Sequence, residues 1–245
     1  MTDIRVFKTK SELSQAAARL VVAAAQGAVA VNDCFLIALS GGGTPVDMFR
    51  LLSLSPHKER MPWEKTHIFW GDERLVPPDD SGSNYGQAAD ILLRHVPIPA
   101  ANIHRVLGET DAVTAVADYT AQLKQLAQPG HAWPRFDLVI MGMGSDGHTA
   151  SLFPGPISAD ETQNPVMAVT ADYDGRPAHR VTLTPMVFND AHHILFMLTG
   201  ENKANAVRAV TRGPLQPGRW PAQRICPHNG QITWLMDKAA ASRLG

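Results

Sequence analysis

The chain has 245 residues, of which 44% are hydrophobic and 18% charged, enough material for one generous globular core and the wrong composition for disorder. Its 22 Lys and Arg against 23 Asp and Glu leave a formal net charge of −1, which excludes a nucleic-acid or membrane partner recruited by bulk charge; any anionic ligand must be held by a few placed cations. Two cysteines, Cys34 and Cys226, are too few for a disulfide framework, and the N-terminus lacks the pattern of a secretory signal, so a reducing, cytoplasmic setting is expected.

Apolar residues at Leu13, Ala16, Ala17, Leu20, Val21 and Ala24 recur at helical spacing, which predicts a helix over 12–29 with Ser11 as its cap. The window 20–39 is apolar enough to raise a membrane span. Gly27 and the Asn32-Asp33 pair, however, read as breaks between a helix and a strand, and a span is rejected. Residues 34–39 are a continuous apolar run, the mark of a strand buried on both faces, ending in Ser40-Gly-Gly-Gly-Thr44-Pro45. Pro45 suits the first turn of the helix that follows.

The same grammar recurs three times. Strand 66–70 enters Gly71-Asp-Glu-Arg74 and, after a polar loop to Asn84, a helix to about His95; strand 136–141 enters the Gly142 loop; strand 193–198 enters Thr199-Gly-Glu-Asn-Lys203 and a helix. Strands alternating with helices predict a single-domain α/β fold over 1–245, a mostly parallel sheet with helices on both faces. The four strand-end loops should then converge on one site. Stretches 154–165 and 213–228, rich in Pro, Gly and polar residues, read as long connections.

Three glycines between a buried strand and a helix make Ser40, Gly41, Gly42, Gly43 and Thr44 a candidate phosphate cradle. The segment is not a Walker A loop, because no Gly-Lys-Ser/Thr follows. Gly142-x-Gly144-x-x-Gly147 matches the dinucleotide fingerprint by spacing. It stands past the middle of the chain, though, and its third glycine is flanked by Asp146 and His148. An aspartate there would repel a pyrophosphate, whereas a histidine that titrates near neutral pH, with a carboxylate two residues away, suits proton transfer to and from water.

In this company the residues resemble the 6-phosphogluconolactonase family. The blocks are Leu39-Ser-Gly-Gly-Gly-Thr-Pro45, Trp70-Gly-Asp-Glu-Arg-Leu-Val-Pro77 with Ser83-Asn84-Tyr85, Gly142-Met-Gly-Ser-Asp-Gly-His148 running on to Pro154, Arg180-Val-Thr-Leu-Thr184, and Thr199-Gly-x-x-Lys203. They occur in that family's order between about residues 5 and 240. The resemblance implies hydrolysis of 6-phospho-D-glucono-1,5-lactone to 6-phosphogluconate in the oxidative pentose phosphate pathway, with no metal or organic cofactor; no obligate protein partner is evident in the sequence. It implies a modified Rossmann-like sheet shared with glucosamine-6-phosphate deaminases. It also implies His148 as the base that activates water, Asp146 as its neighbour, and Ser40 to Thr44, Arg74, Arg180 and Lys203 as binders of the phosphate and the polar ring substituents.

Two rivals share the sheet. A glucosamine-6-phosphate deaminase or isomerase carries a glutamate five residues beyond the histidine, where this chain has Phe153, and its Asp-Glu pair precedes Tyr where this chain has Arg74. A non-catalytic sugar-phosphate sensor would need an added DNA-binding segment, for which the helix at 12–29 leaves no room. Asp72 and Glu73 carry less weight as functional residues than Arg74, His192-His193 read as packed or solvated side chains rather than metal ligands, and the tryptophans read as structural. No Gly-x-Ser-x-Gly elbow is present to support a serine esterase.

Overall fold

A computed structural model describes residues 2–173 and 175–245. Six parallel strands form the main sheet in the order β1-β9-β8-β5-β2-β3: β1 (Thr2–Phe7), β2 (Phe35–Leu39), β3 (Thr66–Trp70), β5 (Leu138–Met141), β8 (His193–Leu198) and β9 (Gln231–Asp237). A smaller antiparallel sheet has the order β4-β7-β6, from β4 (Asp72–Arg74), β6 (Val166–Thr170) and β7 (His179–Leu183). The helices are α1 (Lys10–Asn32), α2 (Val46–Leu52), α3 (His57–Arg60), α4 (Asn84–Ile91), α5 (Ala112–Gln125), α6 (Asp160–Gln163), α7 (Pro185–Phe188) and α8 (Ala204–Arg212).

The continuous apolar runs are explained by burial on two faces. In β2, Leu36 and Ala38 point into one core, while Phe35, Ile37 and Leu39 point into the other. Strand β5 divides likewise, with Val139 and Met141 on the first side and Leu138 and Ile140 on the second. Helices α1, α2 and α4 fill the second core through Leu13, Met48 and Ala88; α5, α7 and α8 fill the first through Ala115, Val187 and Ala206. The expected parallel sheet with helices on both faces is therefore present.

Helix α1 departs from its predicted limits. It begins at Lys10, capped by Thr9, whose hydroxyl accepts the Glu12 amide at 3.1 Å while Glu12 Oε2 accepts the Lys8 amide at 2.9 Å. This Thr9 cap, with Glu12 reaching back to the residue before it, overrides the proposed Ser11 cap. Gly27 does not break the helix, which runs to Asn32 and ends with Asp33 left-handed at φ 54°. An interior glycine costs only about 1 kcal/mol, less than the packing of a long apolar face returns. By length and composition α1 could cross a bilayer; in the fold its Leu13, Ala17 and Val21 face is buried in the second core.

The small sheet was not anticipated. The chain leaves the main sheet at Gly71, whose amide donates to Leu39 O (2.8 Å) and whose carbonyl accepts the Leu183 amide (2.9 Å). Three residues later it has paired Arg74 with Arg180 across β4 and β7. In the main sheet β2 lies between β3, the next strand in the chain, and β5, a later one. The strand order therefore reverses there, and a crevice opens beyond the carboxyl ends of β2 and β5, where open α/β sheets bind their ligands.

Candidate active site

A cleft of about 160 Å³ occupies this switch point. Loop 40–45 after β2, Asp72 and Arg74 of β4, loop 142–150 after β5, Arg180 of β7, and Thr199 with Lys203 after β8 all line it. The four strand-end loops converge as expected. Thr44 Oγ1 meets Thr199 Oγ1 at 3.2 Å across the floor, and Gly142 stands beside Ser40 closely enough that a Cβ there would lie 3.8 Å from Ser40 Oγ.

Within loop 142–148, Asp146 Oδ1 lies 2.7 Å from His148 Nδ1 and also accepts the His148 amide at 3.1 Å. An ionised carboxylate only accepts, so Nδ1 carries a proton, and in the neutral imidazole Nε2 is then the nitrogen with the lone pair. Burial alone would raise the Asp146 carboxyl, but the hydrogen bond and charge of His148 outweigh it, and the group sits below its ordinary value. The imidazole stacks on Phe153 (centroids 4.8 Å, 26°) and meets the edge of Tyr173 (4.5 Å, 71°).

Gly144 explains why this loop imitates a nucleotide fingerprint. A Cβ there would lie 2.1 Å from His148 Nδ1 and 2.3 Å from Asp146 Oδ1, so the glycine makes room for the acid–imidazole pair. No helix follows the loop. Residues 149–152 form a tight turn with Ala150 at φ 47°, which removes the helix N-terminus that a pyrophosphate would need.

Arg74 and Arg180 face one another across the small sheet, both buried. Arg74 donates through Nη1 to Gly82 O, but its Nε, together with Nε and Nη2 of Arg180, meets no hydrogen-bond partner among the described residues. Burial, followed by the like charges of Arg74 and Arg176, lowers the Arg180 guanidinium, with Asp72 acting in the opposite sense. Among the described residues of the cleft wall, Arg74, Arg176, Arg180 and Lys203 oppose the single carboxylate of Asp72. Buried donors without acceptors beside paired like charges suit an anion.

Asp72 and Glu73 separate in role. Glu73 is buried and accepts the amides of Arg74, Asn84 and Tyr85 at 2.6–2.7 Å and the Ser83 hydroxyl at 3.1 Å. Burial still pushes its carboxyl up. It anchors the start of α4. Asp72 reaches the cleft, held by Ser151 Oγ at 2.8 Å and Asn84 Nδ2 at 3.4 Å. Asn84, in turn, requires Gly41, where a Cβ would fall 1.8 Å from Asn84 Oδ1.

Every residue singled out from the sequence lines this cleft except Asp146, which stands behind His148. The cleft is also lined by Asn84, Thr199, Tyr173 and Arg176, which sequence reasoning missed, and by Asp72, which it ranked below Arg74. Asn84 and Thr199 sat in recognised blocks without being singled out, whereas Tyr173 and Arg176 gave no signal. Among the described residues, no three His, Cys, Asp or Glu side chains gather as a metal-binding group.

A parallel sheet with a cationic, small-molecule-sized cleft at its switch point, entered by an aspartate-oriented histidine, defines an α/β protein suited to a small anionic ligand. The chain belongs to the glucosamine-6-phosphate isomerases/6-phosphogluconolactonase family, whose model matches residues 8–234. It is 38% identical over 214 residues to the 6-phosphogluconolactonase of Haemophilus influenzae, covering 87% of this chain and 89% of that one. Among solved structures it resembles the devB protein (TM-score 0.90, 32% identity, all of both chains). It also resembles the 6-phosphogluconolactonase of Trypanosoma brucei (TM-score 0.85, 29% identity, 100% of this chain and 99% of that one).

Proposed function

We propose that this protein hydrolyses 6-phospho-D-glucono-1,5-lactone to 6-phosphogluconate, with His148 as the base. The observation that carries the reading is the Asp146–His148 pair at a cleft whose buried arginines hold unpaired donors. With Nδ1–H fixed on Asp146, His148 Nε2 takes a proton from a water whose oxygen attacks the lactone carbonyl carbon. The carbonyl electrons collect on oxygen, where preorganised donors typically contribute about 3–4 kcal/mol. Collapse of the tetrahedral species breaks the bond to the ring oxygen, which recovers the proton from His148.

Ser40 to Thr44, Arg74, Arg180 and Lys203 bind the phosphate and the polar ring substituents. The relatives' names support the substrate, and the position of Phe153 supports hydrolysis over deamination: an aromatic ring stacks on the imidazole where a deaminase has a further carboxylate. The chain acts as one unit over 1–245, and its two free cysteines suit a reducing, cytoplasmic compartment. The test is proton release or coupled turnover on freshly generated lactone, read against the spontaneous hydrolysis blank. A rate well above the blank is expected, and a rate equal to it rejects the reading.

A further inference from the structure

The connections 154–165 and 213–228 meet in a feature that the proposed chemistry does not use. Arg224 and Glu161 form a buried ion pair, with Nη1 at 2.8 and 2.9 Å from the two carboxylate oxygens. The remaining donors of Arg224 are all aimed at backbone: Nη2 donates to Phe153 O (3.1 Å) and Gly155 O (3.2 Å), and Nε donates to Pro217 O (2.9 Å). A buried guanidinium with all its nitrogens bonded and its charge matched fixes geometry in two directions at once.

What it fixes is the seat of His148. Phe153, whose carbonyl Arg224 holds, carries the ring on which the imidazole stacks, and the same ring lies under the Arg180 guanidinium at 5.5 Å. From the other side, the segment bearing Arg224 grips the backbone next to the histidine. The Ala222 amide donates to Gly147 O at 2.9 Å, and Trp220 packs so tightly on Gly147 that a Cβ there would lie 2.7 Å from its ring. Gly147 itself stands at φ 81°, a conformation open to glycine. Residues 220–224 thus hold the base at both flanks, by backbone at Gly147 and by side chain through Phe153.

The geometry points to Arg224, oriented by Glu161, as a positioning residue for His148 that acts through Phe153. The inference rests on His148 being the base. Its test pairs two readouts. In the double variant Glu161→Leu/Arg224→Met the buried charges leave together, so no unpaired charge is left in the core and the fold is expected to survive, while the carbonyls of Phe153, Gly155 and Pro217 lose their shared donor. Lactone turnover per folded molecule should fall about tenfold or more in kcat with KM changed less than twofold.

The same double change made in a Phe153→Leu background should have little further effect on kcat, because the element through which Arg224 acts is already gone. Equal losses in the two backgrounds, or an unaltered kcat in the first, overturn the inference. The second readout needs no activity: ring-proton NMR signals of His148 should shift in Glu161→Leu/Arg224→Met and in Arg224→Lys, which keeps the charge without the fork. Unmoved signals reject the positioning role even where the protein proves to have another substrate. Moved signals alongside a wild-type rate at the blank separate a failed function from a correct placement.

Discussion

Replacing Asp146 by Asn keeps the shape, removes the charge and turns one acceptor oxygen into an NH2 donor. Asp146 Oδ1 accepts from both the ring nitrogen and the amide of His148, so the wild-type aspartate fixes the tautomer and stabilises the imidazolium formed as water is deprotonated. A hydrogen bond to a charged group contributes about 1.5–3 kcal/mol. At about 1.4 kcal/mol per decade, loss of the charge alone lowers kcat roughly 10- to 100-fold. If the new amide presents its NH2 to Nδ1, the proton moves to Nε2 and the base is lost; the same change in a serine-protease triad costs about 10⁴ in kcat.

The expected outcome is thus a drop of about two orders of magnitude or more in kcat with KM little altered. It would be measured by pH-stat on fresh lactone with the blank subtracted. Stability should respond in a defined sense. The folded carboxyl lies below its unfolded value, so its contribution is present above that unfolded value and is lost as pH falls through the folded one. Asp146→Asn should therefore melt lower than wild type near neutrality, and the difference should shrink in acid. A folded Asp146→Asn enzyme retaining more than half of the wild-type kcat refutes the reasoning.

Other expectations follow from single contacts. Gly144→Ala places a methyl where the acid–imidazole pair lies, so turnover should collapse while the near-UV spectrum stays folded; near-normal turnover would contradict the steric account. Lys203→Ala should weaken the phosphorylated lactone far more than unphosphorylated gluconolactone, and equal losses on the two substrates would remove Lys203 from the phosphate subsite. His104, hydrogen-bonded to His67 at 3.0 Å, is pushed down to about 4 by burial and then by the charge of His67. Between pH 6.5 and about 4 the unfolded chain binds the extra proton, so stability falls as pH drops, by up to about 1.4 kcal/mol per unit. His104→Phe, which keeps the stack on Phe69, should flatten that slope in denaturant titrations, and an unchanged slope would show that other groups set it.

Four of the six main-sheet strands were legible, because β2, β3, β5 and β8 are largely apolar runs that end in glycine-bearing loops; β1 (Thr2–Phe7) and β9 (Gln231–Asp237), which mix polar and charged residues into their runs, were not read. The small sheet was not. β4 is Asp-Glu-Arg, which reads as a solvated charge cluster, and its partner β7 stands far along the chain. Only the register that sets Arg74 against Arg180 turns those charges inward. For the same reason Arg180 and Lys203 could be picked from motif blocks, while Arg176, in an exposed turn bridged to Tyr173, could not. Gly27 misled because local propensity was weighed without the packing that overrides it. Gly144 misled in the opposite way, since its spacing copies a phosphate loop while its physical task is to clear space for His148.

The central claim is that His148 activates water in this cleft. Its most direct test is the lactone turnover of folded His148→Ala above the spontaneous blank, beside wild type at neutral pH. The account predicts a loss of at least about 10²-fold, the lower range of a positioned general base, with the circular dichroism spectrum unchanged. A folded His148→Ala protein that hydrolyses the lactone at close to the wild-type rate would contradict it.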